Sequence, residues 1–95
     1  MFTTHKPKFE LGQVVTTPGA MKALSRNQTD ASKYMKRHQA GDWGDVSVDD
    51  AQENEYALTQ GLSITSVYTL KDETRLWIIT EADRSATTVL LPAEY

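Results

Sequence analysis

The segment RLWIITE, residues 75–81, constrains this chain more than any other. An extended chain alternates its side chains between two faces. Leu76 and Ile78 therefore share one face, and Trp77 and Ile79 the other. A strand apolar on both faces belongs in the middle of a sheet with both faces covered. Its neighbours keep the same period. SITSVYTL (63–70) and SATTVLLP (85–92) are rich in β-branched and aromatic residues and have the length of strands. KDET and ADR are short enough to link the three as an antiparallel meander.

Upstream the period becomes helical. Thr17 is a good N-cap, Pro18 suits the first helical position, and Ala20, Met21 and Leu24 form a short stripe that Asn27, in a left-handed conformation, would end. Thr29 is expected to cap a second helix. There Ala31, Tyr34, Met35 and His38 fall at i, i+3, i+4, i+7, before Gly41 stops it. Ser47 and Asp50 have the spacing of a capping signal for a third helix, which runs to Gly61. Its stripe is Val48, Ala51 and Leu58, interrupted by a polar residue at Asn54 or Glu55. Phe9 to Thr16 reads as a short first strand, and residues 1–8 as a loose tail.

Ninety-five residues make one domain, 1–95. Because the helices come first and the meander last, the expected class is α+β: two or three N-terminal helices packed on a three- or four-stranded antiparallel sheet. Three small helices cover one face of such a sheet. The N-terminal segment or a second copy of the chain, a homodimer, is expected on the other.

The chain has no cysteine, which excludes disulfides, thiolate metal sites and thiol nucleophiles. The opening MFTTHKPKFELG lacks the apolar core of a signal peptide, and no apolar run approaches the roughly 18 residues of a membrane helix. The expectation is a cytoplasmic protein without a membrane partner. The net charge of –3 divides unevenly, +5 over residues 1–40 and –8 over 41–95. Such asymmetry marks either a polyanion-binding half or two halves that neutralise each other on folding.

Four stretches carry candidate chemistry. In HQAGDWGD (38–45), His38 with Asp42 and Asp45 could form a general-base or metal-type cluster. Trp43, between two glycines, could be a stacking platform for a ring. The duller alternative is a core histidine bonded to an aspartate and a tryptophan that plugs the gap between the second and third helices. In TEADRSATT (80–88), Glu81, Asp83, Arg84 and Ser85 could hold a phosphate or carboxylate, or simply shape a turn. The helix–turn–helix outline of ALSRNQTDASKYMKRHQ could set Lys33, Lys36 and Arg37 along nucleic-acid phosphates. The only other histidine, His5, lies in the tail, and three converging metal ligands are not in sight. Neither a metal nor a cofactor is expected. Nucleotide-loop and common hydrolase motifs are absent from the sequence.

The strings FELGQVVTTPGA, RHQAGDWGDVSVDDAQENEYAL, ITSVY and LWIITEADRSATTVLLPAEY resemble a family of short bacterial, plasmid-related proteins carried on mobile elements. The resemblance spans about Phe9 to Tyr95 and implies a bacterial, cytoplasmic setting. It brings no activity, substrate or site residue with it. The leading expectation is a non-enzymatic binding or regulatory protein acting through protein contacts. The alternative is a small hydrolase or ligand-binding protein, which requires the His38 loop and the Glu81–Ser85 hairpin to meet. Nucleic-acid binding comes third.

Overall fold

The computed structural model describes residues 7–95. Its elements are β1 (Gln13–Thr16), α1 (Pro18–Arg26), α2 (Ala31–Gln39), α3 (Val48–Gln60), β2 (Ile64–Thr69), β3 (Arg75–Thr80) and β4 (Ala86–Leu90), followed by a 3-10 turn over Pro92–Glu94. The class is α+β. The strands form one sheet in the order β1-β4-β3-β2, so the doubly apolar β3 is interior. β2–β3 and β3–β4 are antiparallel, as the meander requires. β1 lies within the stretch Phe9 to Thr16 expected as a first strand, so a strand rather than the helices opens the fold, and it departs from the expected antiparallel sheet by pairing parallel to β4. Two tight turns return β4 to the direction of β2 and leave one edge of β4 unpaired. β1 takes that edge, and the helices carry the chain across to β2. The N-terminal segment thus widens the sheet rather than covering its second face.

Gly12 sets this arrangement. Its φ is +65°, and a Cβ there would stand 2.3 Å from the backbone of Ser85. Only glycine lets the chain pass the β3–β4 turn closely enough for the Gln13 N–H to reach the Ser85 carbonyl at 2.9 Å.

The helix ends follow local chemistry. Thr17 accepts from the Ala20 N–H and Ser47 from the Asp50 N–H, as the sequence indicates. The second helix is capped by Asp30 rather than Thr29, the Asp30 carboxylate accepting from the Ser32 N–H. Gln28 rather than Asn27 takes the left-handed conformation, because the Asn27 side chain is engaged. It donates to the Ala23 carbonyl and accepts from the Asp72 N–H of the β2–β3 turn. Met21 and Val48, expected in buried stripes, are exposed. α1 packs through Ala20, Ala23 and Leu24, and α3 buries Asn54 and Ala57.

One face of the sheet meets the helices. Two apolar clusters lie there. The first gathers Ala20, Ala23, Leu24 and Tyr34 against Tyr68, Leu70, Leu76, Ile78 and Val89. The second gathers Phe9, Trp43, Ala57 and Ile64. Of the tail expected over 1–8, residues 1–6 with His5 lie outside the described residues, whereas the Lys8 N–H bonds the Gln39 carbonyl at 2.8 Å. Among the described residues no helix is long and apolar enough to cross a membrane.

Candidate functional site

His38 ends α2 on its apolar face, and the helix drives it into the core, where it is fully buried. A buried imidazole needs partners for both nitrogens. The strands supply them. Ser66 shares a phase with Ile64 and Tyr68, Thr80 with Leu76 and Ile78, and Thr87 with Val89, so all three hydroxyls point at the helices. Nδ1 of His38 is 2.5 Å from the Ser66 hydroxyl and Nε2 is 2.9 Å from the Thr80 hydroxyl. Thr80 lies 2.7 Å from Thr87, whose hydroxyl donates to the Leu11 carbonyl at 2.8 Å.

That last bond orders the whole chain. A carbonyl only accepts, so Thr87 gives its proton to Leu11 and must accept from Thr80. Thr80 in turn must accept from Nε2–H, which leaves Nδ1 to accept from Ser66. The imidazole is therefore the neutral Nε2–H tautomer. Burial pushes its pKa from 6.5 down to about 4, and the nearby positive charge of Arg84 acts in the same direction. Phe9 and Trp43 close over the ring edge-on, with centroids 5.0 and 6.0 Å away. His38 thus ties α2 to β2, β3, β4 and the lead into β1. It has no surface left to offer a substrate.

Trp43 is buried between α2 and α3. Its indole N–H donates to Glu55 of α3 at 2.9 Å, and Phe9 stacks on it at 6.3 Å. The loop segment 43–45 serves the sheet edge. The Val67 N–H donates to the Trp43 carbonyl, the Asp45 N–H donates to the Val67 carbonyl, and Gly44 forms a parallel bridge with Val67. A Cβ on Gly44 would stand 2.0 Å from the Val67 oxygen. The next outward-facing residue of β2, Thr65, is matched by Asn54, whose side chain donates to its carbonyl and accepts from its N–H. The polar residues that interrupt the α3 stripe therefore have distinct tasks. Asn54 closes the sheet edge and Glu55 holds the tryptophan.

Most of the remaining candidates are also engaged, whereas the Glu81 side chain lies exposed. Asp42 accepts from Arg37 at 2.7 and 3.3 Å and from the Gly44 N–H, and the Arg37 bonds hold its carboxyl below the usual range. Asp45 accepts from the Thr69 hydroxyl. Neither aspartate bonds His38. Arg84, at φ +61°, spends its guanidinium on the carbonyls of Ala57, Leu62, Glu81 and Ala82. Asp83 accepts from the Ser85 N–H, which shapes the turn. The two predicted clusters do approach each other, since the Arg84 guanidinium lies 5.7 Å from the ring of Phe9, the same ring that covers His38. What fills the space between them is this phenylalanine. Of the cations proposed for nucleic acid, Arg37 stacks on Tyr68 at 4.7 Å and pairs with Asp42. Lys33 lies 5.4 Å from the Tyr34 ring, and Lys36 is exposed. Among the described residues no three histidine or acidic side chains converge as metal ligands.

The second face of the sheet is different. Thr65, Val67, Trp77, Ile79 and Thr88 are only half-buried there. The 3-10 turn covers one corner, with Leu90 buried and Tyr95 edge-on to Trp77 at 5.5 Å. Glu94 fixes that turn to the start of α1 by accepting from the Gly19 N–H, the Thr17 hydroxyl and the Leu91 N–H. Between this face and α3 runs a groove of about 830 Å³, with Tyr56 and Leu62 exposed at its lip and Val67 and Trp77 on its floor. Sequence reasoning found Trp77 and Val67 as strand residues but missed the groove, because it depends on α3 standing at the β2 edge. Compared with family models, with curated proteins and with solved structures, the chain matches none.

Proposed function

We propose that this is a small, non-enzymatic binding protein that engages another protein through the second face of its sheet and the groove beside α3. One observation carries the reading. Trp77, Ile79 and Val67, half-buried on the second face, are contiguous with the exposed Leu62 and Tyr56 around this concave surface, whereas the other exposed apolar side chains, such as Met21 and Val48, do not line it. Apolar surface gathered around a groove and rimmed by polar groups is characteristic of protein docking sites. The groups that would make an enzyme of the chain, His38, Asp42, Asp45 and Arg84, are by contrast bonded to the protein itself.

The test is photocrosslinking in cells, with p-benzoylphenylalanine replacing Leu62 at the lip of the groove or Met21 on the opposite side. A discrete crosslinked product from position 62, absent from position 21 and abolished by Ile79→Glu, is expected. A product of twice the chain mass would identify a second copy as the partner. The same products from both positions would overturn the reading.

A further inference from the structure

The lining of the groove carries information about its occupant. Asp50 and Glu53 stand on its α3 side, and among the described residues no lysine or arginine lines it. A second, shallower concavity of about 370 Å³ continues over Asp49, Gln52, Glu53 and Tyr56. Glu53 and Tyr56 form the ridge between the two. Arg84 is held on the carbonyls of Ala57 and Leu62, and Arg75, which shares the outward face with Trp77 and stands opposite Thr69, is outside the lining of the groove. The outward backbone of β2 is already bonded by Asn54, Trp43 and Asp45, so a strand cannot add at this edge. Recognition here must work through side chains. The floor takes an aliphatic group against Val67 and Trp77. The rim takes a cationic head between two carboxylates and the face of an exposed tyrosine, where charge and ring quadrupole act together.

We propose that the groove binds a cationic, aliphatic peptide segment of a partner protein. Its leucine- or valine-type side chains sit on Val67 and Trp77, and its lysine or arginine heads lie along Asp50, Glu53 and Tyr56. This rests on the docking reading above and names the chemistry of the partner.

The experiment is an amide and indole NMR titration of the full chain with three synthetic peptides of equal length. One has the sequence Arg-Leu-Lys-Val-Arg-Leu-Lys, one replaces its cations with glutamate, and one replaces its aliphatic residues with serine. The basic aliphatic peptide is expected to shift the Trp77 indole together with Tyr56, Leu62 and Val67, with Kd on the order of 10–100 μM. The Trp43 indole, bonded to Glu55, should stay in place. The double variant Asp50→Asn, Glu53→Gln should bind roughly tenfold more weakly. So should the unaltered chain at about 1 M salt, where the Debye length falls to about 3 Å. Equal binding of the glutamate or serine peptide would overturn the proposed chemistry and leave the docking reading standing. Groove shifts that follow protein concentration but no peptide would replace the peptide with a second copy, with the same consequence. Silence of the groove towards every peptide and towards concentration would overturn both.

Discussion

At the scale of single residues, the polar core is the most demanding feature. His38→Ala would strand the Ser66 and Thr80 hydroxyls and open a cavity. We expect a loss of about 3–5 kcal/mol in urea unfolding. The pH dependence follows from the same ring. Its pKa is 6.5 when unfolded and about 4 when folded. Between these values the unfolded chain binds the extra proton, so stability is full above pH 6.5 and falls as the pH drops towards 4. At about 1.4 kcal/mol per pKa unit the loss is about 3 kcal/mol. Urea midpoints at pH 7 and pH 4.5 measure it, and His38→Gln should flatten the profile in that window. The sequence placed His38 correctly on the buried face of α2. It misdirected the choice of partner, because Asp42 and Asp45 are near in sequence and the hydroxyls are distant. A signal was nevertheless present. Ser66, Thr80 and Thr87 each sit in the apolar phase of a strand, where a polar residue must be answered. Together with His38 they make four buried polar residues in one small core, natural partners for one another.

At the scale of elements, the two edges of the sheet are handled differently. Backbone and side-chain groups from the 43–45 loop and from α3 close the β2 edge. Asn54→Leu would remove both bonds to Thr65 and leave a strand edge open. A loss of about 2–3 kcal/mol is expected, with concentration-dependent aggregation near the unfolding midpoint. Gly44→Ala would force a Cβ into the Val67 carbonyl at a positive φ. It should cost about 3 kcal/mol or more, read by the same unfolding assay. Strand existence and the helical periods were legible because each is a local pattern. The direction of β1 was not. Nothing in QVVT distinguishes a parallel from an antiparallel partner, and the deciding constraint is the contact between Gly12 and Ser85, remote in sequence. The exposure of Met21 and Val48 was hidden for a related reason. A short amphipathic stripe leaves the rotation of the helix uncertain by about one position, and only the sheet beneath settles it.

At the scale of the whole molecule, the contacts that complete the fold join its two ends. β1 pairs with β4, and Glu94 bonds the first turn of α1. Glu94→Ala should leave overall unfolding cooperative. It should also speed hydrogen exchange at the Gly19 and Leu91 amides by roughly tenfold, since both lose their acceptor. With so many contacts between distant residues, refolding in the millisecond-to-second range is expected rather than microseconds. The charge asymmetry of the sequence has only a partial structural resolution: the Arg26–Asp72 and Arg37–Asp42 pairs bridge the basic and acidic parts, yet both are exposed and contribute little. The parallel strand has a consequence for synthesis. A ribosome delivers residues 13–16 well before their partners 86–89, so QVVT must wait through the making of three helices and two hairpins. During that wait the backbone N–H and C=O groups of this strand are an unclaimed adhesive edge, exposed to whatever the cell holds nearby. The nascent chain is therefore most vulnerable to misassociation before β4 emerges, and a pause in translation that delays β4 should lower the yield of folded protein.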